Sequence, residues 1–172
     1  MYEIGDYIVK AVYGVCRVED ILHMNMSGTD KLYYMLIPIE DKGAKIYVPT
    51  DTVDIGIRKT MTKEEAWEFI ERIPEIEETW IDNEKLREKR YKEVVRSCKP
   101  DDLVGIIKTT YLRKKRRLEQ GKKNTAVDER YLKMAENHLY SELGFALDKD
   151  KDEILGIIED AIARIYNPFK EN

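Results

Sequence analysis

The hydrophobic pattern of this 172-residue sequence changes its period near residue 58, and that change divides the chain into two parts. Before it, apolar and β-branched residues come in short runs separated by glycine and turn-forming residues, which is typical of antiparallel strands. After it, apolar residues recur at spacings of three and four, which is typical of amphipathic helices. The sequence therefore predicts an α+β chain, with a β domain over 1–58 and a compact all-helical domain over 59–172.

The predicted strands of the first part are short and rich in β-branched and aromatic residues. They cover 7–9, 15–21, 32–39 and 44–48. Gly14 and two polar turns separate them, and Pro49 ends the last strand because proline has no amide hydrogen to donate to a neighbour. Short strands at this spacing predict a small curled barrel of the Tudor or SH3 type.

About five helices are predicted in the second part. Thr62 with Glu65, and Thr125 with Asp128, have the spacing of capping boxes at helix starts. The predicted helices run from Thr62 to near Pro74, from about 82 to 97, from Pro100 through Leu118, from Thr125 to near Gly144, and from about 150 to 166.

Charge is distributed unevenly along the chain. The formal net charge is −4, but residues 85–123 hold fifteen basic and five acidic side chains, whereas 59–84 hold three basic and nine acidic ones. A local basic block can attract phosphates while the acidic remainder limits nonspecific binding. The run of five cations at 113–117 spans more than one helical turn, so only some of them can face one partner.

The residues that usually carry catalysis are few and scattered. His23 and His138 have no metal-ligand spacing to Cys, Asp or Glu, and Cys16 and Cys98 are far apart in the sequence. No phosphate-binding glycine loop or nucleophile motif is present. The sequence therefore predicts a protein that is not an enzyme and uses no cofactor or metal.

No apolar run reaches the ~18–20 residues that a membrane span needs, and the first residues lack the basic and apolar segments of a signal peptide. We therefore expect a cytoplasmic protein without a membrane partner.

The two tryptophans have different sequence environments. Trp67 falls on the apolar stripe of the first predicted helix, which favours a core position. Trp80 follows the acidic segment 75–78 and precedes the basic second helix, where it could be exposed. An exposed ring beside cations can stack on a base or wedge into a distorted base step, and the alternative is that Trp80 packs in the core.

Several short motifs occur in an order that covers nearly the whole chain. They are Gly5-Asp6 before the first strand, Tyr13-Gly14-Val15, Tyr33-Tyr34-Met35-Leu36, Ile46-Tyr47-Val48-Pro49, Arg90-Tyr91-Lys92 in the second helix, and Ser141-Glu142-Leu143 in the fourth. Together they resemble the CarD/CdnL family of bacterial transcription regulators, whose N-terminal domain is shared with transcription-repair coupling factors.

The resemblance implies a Tudor-like domain that binds the RNA polymerase β subunit by pairing strands at an exposed edge. It also implies a helical domain that contacts the minor groove of promoter double-stranded DNA at the upstream edge of the melted bubble and stabilises the open complex. The protein would then be bound to the nucleoid through polymerase. An edge strand could also pair with a second copy in a domain-swapped dimer, and the sequence leaves the oligomeric state open.

The DNA-facing cations of the family fall on Lys89, Arg90 and Lys92, with a further one at Arg130. The polymerase-facing arginines of some members fall on Met24 and Tyr47, so this part of the contact must differ.

The wedge tryptophan of many members falls on Arg87, seven residues after Trp80. Three arrangements follow: Trp80 and Arg87 share one face of a continuous helix, Trp80 alone is the wedge before a displaced helix start, or Trp80 is core and Arg87 reads the groove. We favour Trp80 as the wedge.

A second interpretation is a protein-interaction adaptor whose β domain binds a peptide and whose helical domain does not bind DNA. Its peptide groove would be aromatic, formed by Tyr13, Tyr33, Tyr34 and Tyr47.

Overall fold

The computed structural model describes residues 1–26, 28–51 and 56–166. Contacts divide the chain into two compact units, Met1–Thr60 and Met61–Asn172. The first unit contains the strands and the second contains the helices. The predicted α+β class, with an N-terminal antiparallel sheet followed by five helices, is confirmed. No helix among the described residues has the length and apolar character needed to cross a membrane.

The first unit is a five-stranded antiparallel sheet with the strand order β4-β3-β2-β1-β5. The strands are β1 (Tyr7–Lys10), β2 (Gly14–Asn25), β3 (Asp30–Pro38), β4 (Ile46–Pro49) and β5 (Ile57–Lys59). A bulge between Val18 and Asp20 interrupts the β2–β3 register, and such bulges bend a strand and increase its twist. In the described part of the chain, no pairing joins β4 to β5, so these two strands are the ends of the sheet.

One face of this sheet carries the core of the first unit. Its buried side chains are Ile8, Cys16, Val18, Tyr34, Leu36 and Val48. The register explains the set, because Ile8 pairs with Cys16 and Tyr34 pairs with Val48, and paired residues point to the same face. Burial raises the pKa of the Cys16 thiol to about 11, so this cysteine is protonated and unreactive at neutral pH.

In its described residues, 61–166, the second unit contains five helices and one 3₁₀ turn. They are α1 (Lys63–Arg72), the 3₁₀ turn (Ile73–Glu75), α2 (Glu84–Ser97), α3 (Pro100–Glu119), α4 (Ala126–Leu147) and α5 (Lys151–Tyr166). Thr62 and Glu65 form the predicted capping box in full. At α4 only half of the predicted box exists, because Thr125 accepts from the Asp128 amide while the Asp128 carboxylate turns inward to Arg113.

The core of the second unit combines side chains from all five helices. In α1 the buried face is formed by Ala66, Phe69 and Ile70, followed by Ile73 in the next turn. Trp67 lies beside this stripe and is 38% exposed, so the core position predicted for it is wrong. Trp67 follows Ala66 directly, and successive side chains on an α-helix are rotated by about 100°, so the Trp67 ring points away from the buried face.

Candidate nucleic-acid interface

Trp80 lies in the segment 76–83, which connects the 3₁₀ turn to α2 and is called the Trp80 loop below. Its side chain is 37% exposed, and its indole Nε1 donates a hydrogen bond to Asp82 Oδ1 at 2.9 Å. The Arg116 guanidinium lies 4.5 Å from the centroid of the indole ring, and that of Arg113 lies 6.0 Å away. A partly exposed aromatic ring therefore lies beside two cations of α3.

We call this group, Trp80 with Arg113 and Arg116, the Trp80 surface. Guanidinium groups stack on indole rings and also bind phosphate oxygens through their planar set of donors. The ring offers an apolar face to an unstacked base, and the exposed Arg116 offers charge to an adjacent phosphate. This combination suits distorted or partly melted nucleic acid better than it suits a neutral peptide.

Arg87 does not belong to this surface. Its side chain is 3% exposed, because on α2 it points to the same side as the buried residues Tyr91 and Val94. The Asn83 side chain caps α2, so Trp80 precedes the helix and the two residues do not share one helical face. A side chain buried to this extent cannot read a DNA groove, so Arg87 is not a DNA contact in this structure.

Arg87 instead belongs to a buried ionic cluster between α2, α3 and α4. Arg87 Nε lies 3.5 Å from one oxygen of Asp128, and Arg113 Nε donates to the other at 2.9 Å. Asp128 is fully buried and Arg113 is 14% exposed. Tyr91 lies beside the cluster, and burial together with the Asp128 carboxylate raises the pKa of its phenol to about 12. One carboxylate thus balances two guanidinium groups inside the protein.

The exposed face of α2 carries a basic stripe. Lys85, Lys89, Lys92 and Arg96 are spaced by four, three and four residues, and all are exposed. The stripe begins five residues after Trp80. Arg90 points away from it and is half-buried, with carboxylate oxygens of Glu93 and Asp102 at 3.8 and 3.9 Å. Of the three cations predicted at 89–92, two therefore face solvent together and the third is paired within the unit.

Arg130, the remaining predicted DNA contact, is also paired. It donates to Glu88 at 2.6 Å, and its guanidinium lies 4.9 Å from the centroid of the Tyr131 ring. The pair is exposed, with about half of each side chain accessible. DNA contact by Arg130 would require a phosphate to compete with Glu88.

The predicted polymerase-facing residues lie on the first unit. Met24 pairs with Lys31 across β2 and β3, and Tyr47 pairs with Met35 across β3 and β4. These pairs lie on the same face of the sheet, about 13 Å apart at 3.3 Å per residue. Tyr47 is 37% exposed on the end strand β4, whereas Met24 is half-buried. The two therefore share a face without touching.

Arg113 and Arg116 were not singled out by the sequence. They belong to the run of five cations at 113–117, in which every position carries a positive charge. What distinguishes these two is that the Trp80 ring lies beside them. They are three residues apart and therefore on one side of α3.

The histidines and cysteines form no metal site in the described residues, where no group of three potential ligands converges. Cys98 is buried and its Sγ lies 3.0 Å from His138 Nδ1. Burial lowers the pKa of His138, so its ring is neutral at pH 7.

Residues 2–61 match the family model of the CarD-like/TRCF RID domain. The match covers the strands of the first unit and does not extend into the helices. A search of curated proteins found no match.

Proposed function

We propose that this chain is a transcription regulator that binds the RNA polymerase β subunit and stabilises the promoter open complex, because residues 2–61 match the family model of the CarD-like/TRCF RID domain. Domains of this family are non-enzymatic modules of RNA-polymerase-interacting transcription factors, and they bind the β subunit. In this proposal the second unit contacts promoter DNA at the upstream edge of the melted bubble. Polymerase performs the chemistry.

The observation that carries the DNA half of the proposal is the Trp80 surface. A partly exposed indole ring lies beside two guanidinium groups, in the same unit as the basic stripe of α2. In duplex DNA the base faces are stacked and covered, whereas at the edge of a bubble one of them is uncovered. A ring with flanking cations gains more contact there than on intact duplex.

This difference is enough to regulate initiation. A ligand shifts an equilibrium between two states only to the extent that it binds one of them more tightly. Contacts that form only with the open complex therefore favour melting without any catalytic step. Attachment to the β subunit would keep the helical unit at a high effective concentration near the bubble, so its own DNA affinity can be weak.

The polymerase contact can be tested at Tyr47. We expect the chain to be retained on purified polymerase β lobe at low salt, and Tyr47→Ala to weaken that binding about tenfold or more, since a buried interface tyrosine contributes ~2 kcal/mol. Tyr13→Ala is the control, because Tyr13 is an exposed tyrosine of the same unit, between β1 and β2. Absence of retention of the unmodified chain would contradict the proposal.

The basic stripe of α2 gives a second test, on the isolated chain with duplex DNA. In Lys89→Gln/Lys92→Gln we expect the slope of log affinity against log salt to fall by about 1.8, because each lost phosphate contact removes ~0.9. Lys63→Gln/Lys151→Gln removes two exposed lysines from α1 and α5 and serves as the control of equal charge. An equal loss of slope in both variants would mean that net charge, not the stripe, attracts the DNA.

A further inference from the structure

The Trp80 loop has no regular secondary structure, yet buried groups of the helices hold it at three points. The Lys108 ammonium, 1% exposed on α3, donates to the backbone oxygens of Pro74 and Ile76 at 3.2 and 2.5 Å. Gly105 of α3 accepts from the Thr79 amide at 3.3 Å, and a methyl group at Gly105 would lie 2.6 Å from the Thr79 hydroxyl. The first two anchors thus fix the part of the chain that precedes Trp80.

Arg87 is the third anchor, and it fixes the part of the chain that follows Trp80. One terminal nitrogen of its guanidinium donates to the carbonyl oxygens of Ile81 and Asp82, at 3.3 and 3.4 Å. Asp82 in turn accepts the hydrogen bond from the Trp80 indole. Arg87 therefore holds the backbone of the residue whose side chain orients the ring.

Asp128 connects this anchor to the cations beside the ring. One of its oxygens faces Arg87 Nε, and the other accepts from Arg113 Nε, while the Arg113 guanidinium lies 6.0 Å from the centroid of the indole ring. A single buried carboxylate thus holds both the arginine under the Trp80 loop and one of the arginines beside the ring. Burying two guanidinium groups against one carboxylate costs desolvation energy that an apolar core would avoid. Because of this cost, stability by itself does not explain why the cluster is present.

We propose that Arg87 and Asp128 are positioning residues for Trp80, which hold the indole ring in the partly exposed orientation that the proposed contact with a melted base step uses. This inference rests on the proposed function for the role of Trp80, but the positioning itself is a property of the free chain. Arg87 acts without touching DNA. The ring is already oriented before DNA binds, so less conformational entropy is lost on contact.

Tryptophan fluorescence measures this positioning directly, because the chain contains two tryptophans and Trp67→Phe leaves Trp80 as the sole indole. In that background the test variant is Arg87→Met, which fills similar space and leaves Asp128 paired one to one with Arg113. Arg90→Met is the matched control, since Arg90 lies on the same helix but pairs with Glu93 and Asp102.

In Arg87→Met we expect the Trp80 emission to shift to longer wavelength, acrylamide quenching to increase and anisotropy to fall, each toward the value of the urea-unfolded chain. The far-ultraviolet circular dichroism should stay that of the helical fold. Arg90→Met should leave all three fluorescence values unchanged. If the three values are also unchanged in Arg87→Met, the positioning role is overturned.

A variant that fails to fold does not end the test. If Arg87→Met loses its helical circular dichroism, Arg87→Lys replaces it. Arginine faces Asp128 with Nε and the two carbonyl oxygens with a terminal nitrogen, whereas the single nitrogen of lysine cannot occupy both positions at once. The same fluorescence changes are then expected in Arg87→Lys, and their absence would overturn the positioning role.

An open-complex assay with polymerase distinguishes the positioning role of Arg87 from the proposed function of Trp80. If Arg87→Met changes the fluorescence and also lowers open-complex lifetime, both are supported. If the fluorescence changes but neither Arg87→Met nor Trp80→Ala affects the open complex, the positioning stands and the proposed function of Trp80 fails.

Discussion

Replacing Trp80 with alanine is expected to lower the stabilisation of the open complex by about 5- to 150-fold, because stacking of an aromatic ring on a base is worth ~1–3 kcal/mol. The substitution removes the ring but leaves Arg113 and Arg116, so weak electrostatic attraction to DNA should persist. Binding to the polymerase β lobe should be unchanged, because Trp80 belongs to the helical unit. The lifetime of the open complex, followed with a fluorescent reporter in the melted region, measures the effect.

Trp67→Ala is a closely matched control for this experiment. Trp67 and Trp80 are 38% and 37% exposed, both lie in the helical unit, and no arginine contact with the Trp67 ring is seen in the described residues. Loss of a partly exposed tryptophan should therefore affect stability similarly in both variants, whereas only Trp80→Ala should shorten the open complex. Equal effects of the two substitutions would show that the proposed wedge is wrong.

The local features of the fold could be predicted from the sequence because they depend on neighbours along the chain. Thr62 with Glu65 predicted the start of α1, and Pro100 predicted the first turn of α3, since capping bonds and the fixed φ of proline act within a few residues. The same is true of the strand runs before residue 58. The prediction that Trp67 is buried was wrong, because the width of the buried stripe on a helix depends on which other elements pack against it.

The roles of individual charged residues could not be predicted in this way. Arg87 and Lys89 are two residues apart and both positively charged, yet one is buried and the other exposed. What separates them is Asp128, forty-one residues later, which the sequence suggested as a capping residue of α4. Likewise, Arg113 and Arg116 differ from their basic neighbours only because the Trp80 loop packs beside them. Long-range pairing of this kind leaves no local pattern.

The buried cluster also predicts a large loss of stability. Asp128→Asn should lower the free energy of unfolding by about 3–5 kcal/mol, because removing one partner of a buried ion pair leaves an uncompensated buried charge. Here the amide would face two guanidinium groups. Urea denaturation followed by circular dichroism measures the change. Asp102→Asn is the control, since its pair with Arg90 is partly exposed and 3.9 Å long, and such pairs contribute less than about 1 kcal/mol.

The double variant Asp128→Asn/Arg87→Met identifies the source of that loss. Arg113 is 14% exposed and can turn its guanidinium toward water when the carboxylate is removed, whereas Arg87, at 3%, cannot reach solvent without moving α2. Most of the penalty should therefore come from the unpaired charge of Arg87, and removing that charge should restore stability. We expect the double variant to be more stable than Asp128→Asn alone. A double variant that is less stable would mean that the Arg87 side chain stabilises the fold through its carbonyl contacts rather than through its charge.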